Sequence, residues 1–145
     1  MKKQIIIADF ISAILLLLFT YTAIYKFSDQ KNFQFVLSKS PLLHPFAFTF
    51  SWALPLIEII ISFLLFIPAC RFLGLYASLI LLSVFNLYLG YMVLFTTARP
   101  CGCGGVISSL TWPQHILFNL LFILHSVFGI LLYKKNLKVI KPTPP

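Results

Sequence analysis

The chain has 145 residues, of which 60% are hydrophobic and 10% charged, with a formal net charge of +8. Its mean hydropathy of +0.98 excludes an ordinary soluble domain, which carries about 25% charged residues. With 6 Gly and 9 Pro, it is neither collagen-like nor a disordered low-complexity chain.

Four apolar runs, each long enough to cross about 30 Å of hydrocarbon as a tilted helix, follow one another in the order expected of an all-α membrane protein. The first covers residues 5–25. It follows Lys2-Lys3 as a secretory signal would, but it continues through Thr20-Tyr21-Thr22-Ala23 with no Ala-x-Ala site, so it reads as a retained helix. The connection Lys26 to Pro45 is the longest, and its Phe33-x-Phe35-Val36-Leu37 cluster predicts a short helix on the membrane surface. The second run covers residues 46–69, the third 72–97 and the fourth 113–133. Short connections make sequence neighbours antiparallel neighbours, which gives a four-helix up-down-up-down bundle as one transmembrane domain over residues 1–145. No internal repeat and no separate soluble domain is visible.

The basic residues gather beside the ends of these runs, where they set topology and meet anionic lipid. That placement argues against a nucleic-acid partner. Both termini and the Cys70-Arg71 turn fall on one side with seven of them: Lys2, Lys3, Arg71, Lys134, Lys135, Lys138 and Lys141. Lys26, Lys31, Lys39 and Arg99 make four on the other. The positive-inside rule therefore puts both termini in the cytoplasm and turns the Lys26–Pro45 and Ala98–Trp112 loops outward.

The outward segment Arg99-Pro100-Cys101-Gly102-Cys103-Gly104-Gly105 has the composition of a reactive site. Two thiols one residue apart can close a small ring where glycines permit the turn, and a strained, exposed disulfide is of the labile, exchanging kind. A bridge across so small a loop removes little chain entropy, so a structural role explains it poorly. Downstream, Thr111 and Gln114 have capping-box spacing and Pro113 suits a first turn, so the fourth helix starts near Trp112. Its positive dipole end and Arg99 would favour a thiolate at Cys101 or Cys103.

His115 and Asn119 are spaced i, i+4 and share a helix face. His115 suits proton transfer to and from the thiols, or a plain hydrogen bond to a neighbouring helix; Asn119 reads as interhelical glue. Glu58 within the second run is costly if ionised and unpaired, and Lys26 is its first candidate partner, with Arg99 second. A protonated Glu58 bonded to Tyr88 or Asn86 is the neutral alternative. Asp9 is expected to reach the headgroups beside Lys2 and Lys3. Cys70 reads as an inert thiol and His125 as a packing residue.

Taken together, Tyr25-Lys26-Phe27, Phe33, Leu54-Pro55-x-x-Glu58, Arg71-x-x-Gly74, and Pro100-Cys101-Gly102-Cys103-Gly104-Gly105 with Trp112, His115 and Asn119 resemble the DoxX-like membrane superfamily, and within it the MauE branch. The resemblance covers nearly the whole chain. It implies a redox-associated protein of a bacterial inner membrane, supporting disulfide formation or thiol transfer for exported proteins beside a thioredoxin-like partner. Cys101 and Cys103 would carry the chemistry with Glu58 and His115, supported by Lys26, Arg99, Trp112 and Asn119. The chain departs from larger redox members in having no thioredoxin domain and no second outward cysteine pair.

Two other readings stay open. Two soft thiolates with His115 or His44 would suit a cuprous ion, and a Gly-rich loop that only docks a partner would make the chain a non-catalytic accessory subunit. A quinone in the bilayer is conceivable as an electron acceptor, although no residue set identifies one. The basic count makes a first prediction: a C-terminal reporter active only in the periplasm stays silent, and activity there reverses the assigned orientation.

Overall fold

The computed structural model describes residues 2–96 and 111–140, with no strand among them. Helix α1 is Lys2–Ser28 and α2 is Gln30–Ser38, followed by a 3-10 turn at His44–Phe46; α3 is Ala47–Phe66, α4 is Arg71–Phe95 and α5 is Trp112–Ile140. Four of these, all but α2, are long and apolar enough to cross a membrane. They form a closed ring in which α1 packs on α3 and α5, and α4 packs on the same two from the opposite corner. Every adjacent pair is antiparallel, as the short connections require.

Each long helix is apolar all round, so the inward face is marked by small and polar residues. On α1 the buried stripe is Ala8, Ser12, Leu15, Phe19, Thr22, Ala23 and Lys26, at helical spacing. Phe10, Leu17 and Ile24 point outward and are exposed, as expected where the surroundings are lipid. Three buried hydroxyls return to their own helices: Ser12 donates to the Ala8 carbonyl at 2.9 Å, Ser78 to Gly74 at 2.7 Å and Ser126 to Phe122 at 2.9 Å. The apolar centre comprises Ile11, Leu15, Phe19, Ile61, Leu65, Leu75, Leu82 and Ile130.

The helix limits correct the sequence-based ones where apolarity and backbone geometry differ. The second run was expected to reach residue 69, but α3 stops at Phe66. Ile67 precedes Pro68 and is held extended at φ −79°, ψ 116°. The fourth was expected to end at 133, whereas α5 continues to Ile140; apolarity measures only the lipid-crossing part, and lysine is a good helix former. Lys134 lays its amine over the Tyr76 ring, 5.7 Å from the centroid.

Asp9 is a second correction. It pairs with Arg71 and accepts from Tyr133 Oη at 3.3 Å, while Arg71 Nε donates to the Leu65 carbonyl at 3.1 Å. This polar clasp joins all four long helices at the Cys70 end. His125, read as a packing residue, is exposed, with its ring centroid 6.0 Å from that of Phe122 and Nδ1 2.8 Å from the Leu121 carbonyl.

Helices α3 and α4 meet most closely at Gly74. A Cβ there would stand 2.9 Å from the Leu65 backbone nitrogen and 3.0 Å from the Leu64 carbonyl carbon, so only glycine fits. Gly74→Ala is therefore expected to lower the unfolding midpoint in detergent, at a cost of about 1–3 kcal/mol for overpacking. Gly90→Ala, where nothing lies within 4 Å, should leave it unchanged or raise it.

Candidate functional site

Pro55 lies inside α3 and has no N–H, so it leaves the Ser51 carbonyl without its helical donor. Gln30, at the first position of α2, supplies one: its Nε2 donates to Ser51 O and to Ser51 Oγ, both at 3.1 Å. This bond seats α2 on α3, with Phe33, Val36 and Leu37 turned inward. The following loop is pinned to α4, where Tyr88 Oη donates to Ser40 Oγ at 2.8 Å. The surface helix expected from the sequence thus lies folded over one end of the bundle.

Beneath it, Lys26 at the end of α1 donates to Glu58 Oε1 on α3, one turn beyond Pro55. Both side chains are buried, each 8% exposed. The Lys26 amine also sits over the Phe33 ring, 5.7 Å from its centroid, within cation–π range. Three elements, α1, α2 and α3, therefore converge on one cation. Thr20 Oγ1 adds a second α1 to α3 link, donating to Ser62 Oγ at 3.3 Å.

A cavity of about 470 Å³ adjoins the pair, reached by Lys26, Thr22, Glu58, Tyr88, His115 and Asn119. His115 and Asn119 come from the first two turns of α5, on one face as their spacing predicts, and both are buried. The His115 ring packs against Phe85 at 5.7 Å between centroids. The Thr111 N–H donates to Gln114 Oε1 at 2.9 Å, one half of the expected capping box, and α5 starts at Trp112. Among the described residues, Glu58 Oε2 and Asn119 Nδ2 are buried polar atoms with no hydrogen-bond partner.

The structure therefore gathers Lys26, Glu58, His115 and Asn119 at one cavity and starts α5 at Trp112 beside it. Tyr88 also lines this cavity, and its hydroxyl donates to Ser40; Glu58 accepts from Lys26, its first candidate partner. His44 is exposed and lines no part of the cavity, and among the described residues no three His, Cys, Asp or Glu converge as metal ligands. Arg99, Cys101 and Cys103 lie outside the described residues. Cys70, a free thiol, sits at the other end of α4. Sequence reasoning missed Gln30, although Pro55 announced an orphaned carbonyl four residues earlier.

An all-helical protein with four spans and a buried ion pair under a folded-over helix belongs to the class of multi-pass membrane proteins. The family model described as methylamine utilisation protein MauE matches residues 4–132, and the chain belongs to the MauE family. Comparison with curated proteins and with solved structures finds no match.

Removing one member of a buried ion pair leaves a charge without compensation, at a cost of about 3–5 kcal/mol. Lys26→Met and Glu58→Leu are each expected to lower the unfolding midpoint strongly, and the double variant to recover most of the loss. A double-mutant cycle in detergent measures this; simple additivity of the two losses would show that the charges are not coupled.

Proposed function

We propose that this chain is a thiol–disulfide exchange component of a bacterial inner membrane, with both termini cytoplasmic and Cys101 and Cys103 as the exchanging pair on the outer face. One observation carries the reading. The buried Lys26–Glu58 pair, His115 and Asn119 surround a cavity in the half of the bundle where α4 ends and α5 begins, which is where the cysteine segment joins the helices. MauE family membership supports it, because the matched region includes that segment. The wider DoxX-like kinship is part of the same proposal.

In the exchange, a thiolate of the pair attacks a sulfur of a partner disulfide, a mixed disulfide forms, and the second thiol of the pair displaces it. One disulfide is lost for each one formed, and the reverse reaction oxidises a partner dithiol. The N-terminus of α5 and Arg99 favour the thiolate, and His115 takes up or returns its proton. Glu58 with Lys26 positions this end of the bundle. The partner is an exported thiol protein or a thioredoxin-like protein; the family name points to methylamine utilisation as one pathway in which such a partner would work.

The test uses a membrane-impermeant maleimide on intact cells, with Cys70→Ser as background. Labelling at Cys101 and Cys103 only after external reductant is the expected result. Cys101→Ser and Cys103→Ser should each abolish exchange yet accumulate in the membrane like the parent, since a three-residue disulfide loop constrains the unfolded chain little. One of them should trap a mixed disulfide with its partner. Labelling only after permeabilisation, full exchange in both variants, or a reduced pair protected by stoichiometric copper would each overturn the proposal.

A further inference from the structure

The cavity has a polar floor and an apolar mouth. Helices α3 and α4 touch at Gly74, but the cavity lies between them toward their other ends, lined by Phe50 and Leu54 from α3 and Val84 and Leu87 from α4. Val84 is 59% and Leu87 75% exposed, so the mouth opens on the lipid-facing surface. At the floor, Glu58 Oε2 offers an acceptor and Asn119 Nδ2 a donor, both buried and without a hydrogen-bond partner among the described residues. Glu58 and Asn119 are only 6% and 4% exposed. Buried polar groups of this kind are normally satisfied.

These features narrow the occupant. Lys26 and Glu58 sum to zero charge, so an ionic head would lose its hydration with no net attraction to replace it. A carboxylate head would face Glu58, and an ammonium head would face Lys26. The head is therefore neutral, with an oxygen to accept from Asn119 and, in its reduced form, a hydroxyl to donate to Glu58. Phe33, Phe85, Tyr88 and His115 supply ring walls suited to a flat head. The mouth lets an apolar tail leave into the bilayer, and 470 Å³ falls within the usual small-molecule range of roughly 300–1,000 Å³.

We infer that this cavity binds a lipid-soluble quinone or its quinol, entering from the bilayer between α3 and α4. Binding alone is proposed, with no electron-transfer step attached, and it holds whether or not Cys101 and Cys103 exchange disulfides.

The full chain in nanodiscs, with and without the Cys101→Ser/Cys103→Ser double substitution, tests this with a radiolabelled decyl-tailed benzoquinone and, separately, its quinol. Saturable binding above empty nanodiscs is expected in both backgrounds, so failure of the thiol reading leaves it intact. Asn119→Leu should weaken quinone binding roughly tenfold, the value of about one buried hydrogen bond. Val84→Trp, on an exposed face where folding is not at stake, should block the mouth and abolish binding, while Leu124→Trp on the outer face of α5 should bind like the parent. Absence of saturable binding, equal binding in all three variants, or displacement by oleate as readily as by unlabelled quinone would overturn the inference.

Discussion

A carboxylate inside an apolar helix bundle is tolerable only beside a cation of its own, and the contact between Lys26 and Glu58 imposes that condition on everything around it. The cation comes from the last turns of α1 and the carboxylate from the middle of α3, so these helices must keep one register. The pair must also be shielded, because water at its side would weaken the attraction that holds the helices together. Helix α2 provides the shield: Phe33 covers the Lys26 amine, and Gln30 ties the helix down on the carbonyl that Pro55 leaves open. The proline thereby creates the attachment point for the segment that closes over the charges.

Lipid chains are as apolar as leucine, so little hydrophobic force draws membrane helices together, and association rests on close packing and polar contacts. Both are visible here. Gly74 and the buried Ser12, Ser78 and Ser126 let backbones approach, with each of these three hydroxyls returned to its own helix. Specific polar contacts then fix the arrangement, among them the ion pairs of Lys26 with Glu58 and of Asp9 with Arg71, which Tyr133 joins. Two of the chain's three acidic residues are thus committed to holding helices in register.

The two ends of the bundle differ in consequence. At the Cys70 end, the short turn and Gly74 bring α3 and α4 together, and Arg71 ties the strands of polar contact into one clasp. At the other end, beneath α2, lies a cavity whose polar groups converge from α1, α3 and α5. The MauE family match spans residues 4–132, and among the described residues a lysine, a carboxylate, an imidazole and an amide meet at the open end.

Composition and run length alone determine that the chain is helical, crosses a membrane four times and alternates in direction, because only a hydrogen-bonded helix of about 20 residues satisfies its backbone in hydrocarbon. The cost of an unpaired buried charge likewise makes a partner for Glu58 predictable, and the spacing of His115 and Asn119 gives their shared face. The pairing of Asp9 with Arg71, the role of Gln30 and the exposure of His125 could not be read in the same way. In helices that are apolar on every side, no hydrophobic periodicity distinguishes the face toward protein from the face toward lipid. Only the packing of four helices against one another decided which polar groups meet, and with it the position of the cavity.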